Sequence, residues 1–211
     1  MLFLGDSLVA GVGDPAGGGW VARIVSACFA QGTPLSAYNL GVRRETSVAV
    51  AARWRGEAIP RMLAGADHRV VVCFGANDTT LEHGALRVGA DDSRLALAGI
   101  LEEAGALGFA PFIVGPAAVD DTDQNRRIAD LTASFAEVCD QRGIPFVGLV
   151  ESLLSSPVWM SEVTAGDGAH PGARGYDELA SALVEGGLLD WLTEPRRDPV
   201  VAPQPEGPDL A

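Results

Sequence analysis

Five short apolar runs, separated by helical patterns, constrain this chain more than any other feature. The first is Leu2, Phe3 and Leu4, and it stops abruptly at Gly5-Asp6-Ser7-Leu8. The others cover residues 35–40, 70–74, 109–114 and 144–149, and the third of these five, Val70-Val71-Val72-Cys73-Phe74, is the clearest buried strand in the chain. Short apolar runs closed by glycine read as buried strands that turn sharply at their ends. Strand and helix alternating five times predicts an α/β fold: a five-stranded parallel sheet, helices on both faces in three layers (α/β/α), right-handed crossovers and a strand order of 2-1-3-4-5. In such a sheet every strand ends on the same edge, which is where open α/β folds carry their chemistry.

Between the runs, residues 9–19 form a glycine-rich loop around Pro15 that reads as flexible. Its spacing is not GxGxxG, so it does not read as a nucleotide site. A helix follows with Trp20, Ile24, Ala27 and Cys28 on one face. The next helical region carries its arginines mostly on a solvent face, and Gly56 and Pro60 interrupt it, either as a kink or as a split. Residues 79–90 read as a loop. Asp91, Asp92 and Ser93 offer caps to a helix with Leu97, Ile100, Leu101 and Ala104 on its apolar face. Asp120, Asp121 and Asp123 open another, with Ile128, Leu131, Phe135, Val138 and Cys139 inward. Acids at a helix start are favoured by the helix dipole, a simpler reading than a cation site. After the fifth run an irregular stretch extends to Gly168, and a last helix carries Tyr176, Leu179, Ala180 and Leu183 on one face. Residues 1–192 read as one domain. Residues 193–211, rich in Pro, acid and Arg, read as a disordered tail.

Composition excludes several classes of function. The formal net charge is −13, which argues against nucleic acid and against stable association with anionic membranes. All 15 basic residues are arginine, so neither Schiff-base lysine chemistry nor a P-loop lysine is available. Cys28, Cys73 and Cys139 lie far apart without CxxC spacing, which argues against a disulfide framework and a zinc site; Cys73 reads as a buried core thiol. No secretory signal or membrane-spanning run is visible, so the expected location is cytoplasmic, with the reservation that the first strand begins almost at residue 1.

What remains is a set of polar groups at strand ends: Gly5-Asp6-Ser7, Asn39-Leu40-Gly41, Gly75-Ala76-Asn77-Asp78, and Asp167-Gly168-Ala169-His170 before the last helix. A serine beside Gly and Asp is also ordinary turn chemistry. Together, however, the groups supply the parts of acyl transfer. Ser7 is the candidate nucleophile and needs a base to take its proton. His170 is the one of three histidines beside a carboxylate at this edge, and Asp167, three residues earlier, can hold its imidazole. The backbone N–H groups of Ser7 and Gly41 and the side-chain amide of Asn77 are candidate oxyanion donors. Asp6 and Asp78 read as turn stabilisers, His68 as a surface residue and His83 as a solvated loop residue. Trp159, Val163 and Thr164 read either as a wall of the acyl pocket or as packing.

These blocks resemble the SGNH (GDSL) hydrolases. Gly5-Asp6-Ser7-Leu8 matches the name-giving block, Gly41 the second, Gly75-Ala76-Asn77-Asp78 the GxND block and Asp167-Gly168-Ala169-His170 the DxxH block. Val9 stands where a GxSxG elbow needs its second glycine, which separates the chain from the α/β-hydrolases. The resemblance covers roughly residues 1–190. It implies a flavodoxin-like domain, a serine esterase mechanism and no metal or cofactor. Many members carry another glycine shortly after the second block's first; here Arg43 and Arg44 follow, which bears on substrate preference.

The sequence therefore leads to an esterase that hydrolyses small-molecule carboxylic esters or thioesters through an acyl-Ser7 intermediate. A chain this compact leaves no room for a cap domain, which favours short acyl groups. Two alternatives stay open: an acyltransferase using the same acyl-enzyme, and a flavodoxin-like binding module without catalysis. Oligomeric state is not readable.

Overall fold

The computed structural model describes residues 1–195. In chain order, β1 (Leu2–Gly5) leads through α1 (Ser7–Ala10) and α2 (Gly19–Ala30) to β2 (Tyr38–Gly41); α3 (Ser47–Ala58) leads to β3 (Arg69–Cys73). A small hairpin, β4 (Leu81–Glu82) and β5 (Ala85–Leu86), precedes α4 (Ala90–Ala106) and β6 (Ala110–Val114); α5 (Thr122–Asp140) precedes β7 (Phe146–Val147). Then come α6 (Val150–Leu154), α7 (Pro157–Ala165), α8 (Ala173–Glu185) and α9 (Leu188–Thr193). The sheet runs β2-β1-β3-β6-β7 and all its pairs are parallel. Counting sheet strands only, that is the expected order 2-1-3-4-5.

The strands alternate between two helical layers because successive side chains of a strand point to opposite faces. Phe3, Val71, Cys73, Phe112 and Val114 pack with α2 and α8, burying Trp20, Ile24, Trp159, Tyr176 and Leu179. Leu2, Leu4, Val70, Val72 and Ile113 pack on the other side against Val50 and Trp54 of α3, Leu97 and Ile100 of α4, and Phe135 of α5. Full burial of each large apolar side chain contributes about 1.5–3 kcal/mol, well above the few tenths that separate most residues in helix propensity. Position on the apolar face therefore decides these helices. Tyr176, Leu179, Ala180 and Leu183 are all buried, as their spacing requires. Cys28 and Cys73 lie in the first layer's core, Cys139 in the second's, and all three are free thiols.

Several expected boundaries shift. The second strand starts at Tyr38 and not at Leu35, because its register partner in β1 is Leu2, where that strand begins. The fifth shrinks to Phe146–Val147, since Pro145 has no N–H to give the ladder. Residues 79–90 hold a hairpin, turned by His83 (φ 54°) and Gly84 (φ 83°), the two positive φ values of a tight two-residue turn. The region with Gly56 and Pro60 continues as α3 to Ala58 and ends in a 3₁₀ turn, Ile59–Arg61. The stretch read as irregular contains α6 and α7. Pro157 stands at the first turn of α7, and Ser156 caps it, accepting the Trp159 N–H at 2.9 Å.

The glycine-rich loop is held in place. Asp14 accepts from the N–H groups of Ala16 (3.1 Å) and Gly19 (2.9 Å) and from Arg23 (2.6 Å), and Tyr176 donates to the Val12 carbonyl at 2.7 Å. Ser93 caps nothing: it is buried inside α4 and donates to Asp78. Asp121 does cap α5, accepting the Gln124 N–H at 2.7 Å. The tail expected over residues 193–211 lies outside the described residues from 196 onward; Thr193 itself closes α9. Among the described residues no helix is long and apolar enough to cross a membrane.

Candidate active site

Parallel register brings the ends of β1, β2 and β3 level: Gly5 pairs with Gly41 on one side and with Cys73 on the other. Ser7 is therefore delivered to the sheet edge by an interior strand, paired on both sides. Asp6 stops β1 and caps α1, its carboxylate accepting the Leu8 N–H at 2.9 Å. Ser7 is the first residue of that helix and only 7% exposed.

The Asp167-to-His170 block lies between α7 and α8. Asp167 Oδ1 accepts the backbone N–H groups of Ala169 (3.2 Å) and His170 (3.0 Å), which folds the segment into a tight turn. The same carboxylate meets His170 Nδ1 at 2.8 Å through Oδ2. A carboxylate only accepts, so Nδ1 carries the ring proton and Nε2 is left as the acceptor. Nε2 lies 2.8 Å from Ser7 Oγ, across 163 residues of sequence. Gly13 sets this approach. With φ 92°, it packs where a Cβ would sit 2.5 Å from the Pro171 carbonyl and 3.0 Å from His170 Cβ.

Two carboxylates here are displaced from ordinary behaviour, in opposite directions. Burial of Asp6 pushes its pKa up to about 7, and the charges of Asp78 and Glu45 push the same way, against bonds from Leu8 and Asn77. Burial also works to raise Asp167, but the hydrogen bonds from His170 and from two backbone N–H groups outweigh it and hold the carboxyl below its usual range. Asp167 is therefore an anion at neutral pH, as a group that stabilises an imidazolium needs to be.

The candidate oxyanion donors fare unequally. Asn77 stands at the edge on the turn after β3, where Asp78 braces the loop by accepting from the Ser47 N–H (2.9 Å) and the Ser93 hydroxyl (2.7 Å). Its amide donates to the Glu45 carbonyl (2.9 Å) and to Asp6 (3.2 Å). The Gly41 N–H is taken by Asn39 Oδ1 at 3.0 Å. Close packing explains the glycine, because a Cβ there would lie 2.2 Å from the Ala10 nitrogen. Beyond it, Arg44 adopts φ 69°, a left-handed conformation uncommon for a residue with a side chain. Its N–H has no acceptor among the described residues, while its carbonyl accepts from Arg87 at 2.7 Å.

A partly open cavity of about 460 Å³ lies over Ser7 and His170. Leu8, Phe74, Pro116, Ala117 and Val119 give it an apolar side; Arg43, Arg44, Arg87 and Glu82 line its polar rim. Trp159 and Val163 are wholly buried, with the indole N–H on the Ala118 carbonyl at 3.0 Å, so they are packing; Thr164 is exposed. His68 is half-buried against Phe109, and His83 is exposed at the hairpin turn. Among the described residues no cluster of three or more His, Cys, Asp or Glu side chains is arranged to hold a metal ion.

Sequence reasoning missed Arg53 and Arg87, whose bonds reach this edge from distant elements. Arg53 is not on the solvent face expected of the α3 arginines; its guanidinium turns in beneath the loop after β2. A signal existed for Arg44, in the absence of a second glycine from that loop.

The profile of the GDSL-like lipase/acylhydrolase family matches residues 3–178. No curated protein sequence matches the chain. Among solved structures, a lipase/acylhydrolase from Enterococcus faecalis superposes with a TM-score of 0.71 at 24% identity, over 88% of this chain and 93% of that one. An acetylxylan esterase from Geobacillus stearothermophilus gives 0.72 at 20% identity, over 88% and 92%. At these identities the likeness speaks to the fold.

Proposed function

The chain belongs to the GDSL-like lipase/acylhydrolase family, and from that premise we propose that it is a serine esterase acting on carboxylic esters or thioesters with short acyl groups. The observation that carries the reading is the continuous line from Ser7 Oγ to His170 Nε2 and from Nδ1 to Asp167, with both gaps 2.8 Å. His170 takes the hydroxyl proton as Oγ attacks the ester carbonyl, then gives it to the departing alcohol or thiol. Water repeats the cycle in reverse and frees the acid. Asp167 holds the ring tautomer and stays ionised throughout.

The oxyanion falls to the Ser7 N–H, which stands at the first turn of α1 without an intrahelical acceptor, and to the Asn77 amide, which exchanges one of its present acceptors for the substrate oxygen. We assign the third donor to the Arg44 N–H in place of Gly41, because the Gly41 N–H is already engaged and that of Arg44 is not. The small apolar side of the cavity suits an acyl group of few carbons. A small-molecule ester as partner and a cytoplasmic setting go with this reading.

Hydrolysis of p-nitrophenyl esters from acetyl to long acyl chains, by wild type and Ser7→Ala in parallel, tests it. Wild type should turn over acetyl and butyryl esters fastest, and the variant should lose about 10⁶-fold. Equal rates in the two proteins would overturn the nucleophile. Rates rising toward long chains would overturn the short-acyl preference.

A further inference from the structure

Arg53 carries no role in the chemistry described so far, yet it contacts the segments that bear it. Of the two arginines on α3, Arg55 points to solvent and Arg53 turns back under the sheet edge. One of its nitrogens, Nη2, donates to the carbonyls of Gly5 (3.1 Å) and Leu40 (2.7 Å), the first two residues before Ser7 and the second immediately before Gly41. Nε donates to the Glu45 carboxylate at 2.7 Å, and both partners of this pair are about four-fifths buried. Glu45 in turn offers its backbone carbonyl to the Asn77 amide at 2.9 Å. A single planar fork thus binds the end of β1, the end of β2 and the loop after β2, and through Glu45 it reaches the turn after β3.

We propose that Arg53 is a positioning residue that fixes the oxyanion-binding loop, residues 42–46, relative to Ser7. The inference rests on the serine esterase reading. Donors stabilise a developing charge only if they are aimed before the reaction begins, and a shift of about 1 Å in such a group costs on the order of 10²-fold in rate. The loop's backbone bonds are few, Val42 N–H to the Gly5 carbonyl and Glu45 N–H to the Val42 carbonyl at 3.0 and 3.3 Å; Arg87 and Asn77 tie its carbonyls at Arg44 and Glu45 to the far side of the site, and Arg53 ties it to the ends of β1 and β2 beside Ser7. Lysine replaces the clamp only in part, since one ammonium does not hold two carbonyls and a carboxylate in a fixed plane.

The test compares wild type, Ser7→Ala, Arg53→Met, Arg53→Lys and the exposed neighbour Arg55→Met on p-nitrophenyl acetate. Rates are expressed per active serine, titrated with a p-nitrophenyl phosphonate, beside melting temperature and inhibition by a small alkylboronic acid. The boronate forms a tetrahedral anion on Ser7 and needs the same donors as the transition state. Arg53→Met should lower kcat by about 10²-fold with KM nearly unchanged, and weaken boronate inhibition in parallel. Arg53→Lys should fall between it and wild type, and Arg55→Met should match wild type. A purely structural arginine would lower the melting temperature and the titratable serine while leaving kcat per serine at the wild-type value, and that result overturns the proposal. Should Arg53→Met fail to fold, the same comparison on Arg53→Lys decides. If wild type does not exceed Ser7→Ala, the esterase reading falls and takes this inference with it; if wild type exceeds it and the Arg53 variants keep pace, only this inference falls.

Discussion

Ser7 and Asp167 stand at the two ends of one hydrogen-bonded line, but the molecule holds them by different means. Ser7 is 7% exposed and follows the strand with neighbours on both sides, so its position is a property of the whole sheet. The Asp167 side chain is 46% exposed, and its position comes from a four-residue turn tied by its own hydrogen bonds. Ser7 is placed by long-range packing and Asp167 by local chemistry. Damage near Ser7 should therefore reach stability and activity together, and damage at Asp167 should reach activity far more than stability.

Of the substitutions that spare the nucleophile candidate itself, the largest expected effect is on the local side. Asp167→Asn keeps the shape of the turn but removes the anion and favours the wrong imidazole tautomer, so kcat should fall by between about 10² and 10⁴-fold. The melting temperature should barely move. Steady-state kinetics beside a thermal melt measures both, and a large loss of stability would break the contrast. On the packed side, Gly41→Ala forces a Cβ to within 2.2 Å of the Ala10 nitrogen and 2.7 Å of the Asp6 carbonyl. Overpacking of this kind costs about 1–3 kcal/mol, and the displaced atoms flank Ser7. A denaturant titration should find the loss in stability and an ester assay a parallel loss in rate. If activity falls while stability holds, Gly41 acts at the oxyanion after all.

The subtlest test sharpens the comparison through pH, since it moves a slope and not a rate. Folded Asp6 keeps its proton up to about pH 7, whereas its ordinary value is 3.8. Between those values the folded state binds more protons than the unfolded chain, so this residue makes stability fall as pH rises from about 4 to about 7. Asp167, depressed when folded, acts in the opposite sense but weakly, because its side chain is 46% exposed and screened by solvent: its small contribution is present above the ordinary carboxylate range and is lost as pH falls below it. Asp6→Asn still offers an oxygen to the Leu8 N–H and should flatten the slope between pH 4 and 7. Unfolding midpoints at four or five pH values measure it, and an unchanged slope would reject the assignment to Asp6.

The comparison also explains how far the sequence could be read. Strands buried on both faces leave unbroken apolar runs such as residues 70–74, and the polar groups at their ends are brought together by topology alone, so the order of the sheet and the meeting of Ser7, Asn77 and His170 were legible. The turn from Asp167 to His170 is local and visible in its spacing. Elements whose stability comes from elsewhere were not legible. The β4–β5 hairpin has two-residue strands, too short for any period, and α6 and α7 are interrupted at Ser155-Ser156. Arg53 bonds carbonyls 13 and 48 residues away, and no pattern along α3 marks it. Gly41 stood out in the sequence without its packing being visible, because a glycine demanded by close packing looks the same there as one that offers its N–H.

The three buried thiols give this architecture a built-in set of reporters. Cys28 faces one helical layer from α2, Cys139 faces the other from α5, and Cys73 ends the central strand on the first layer's side. Burial pushes each thiol above its ordinary pKa, so each is silent while its own layer is closed. The order in which they become reactive is a record, written by the chain itself, of which side of the sheet comes apart first.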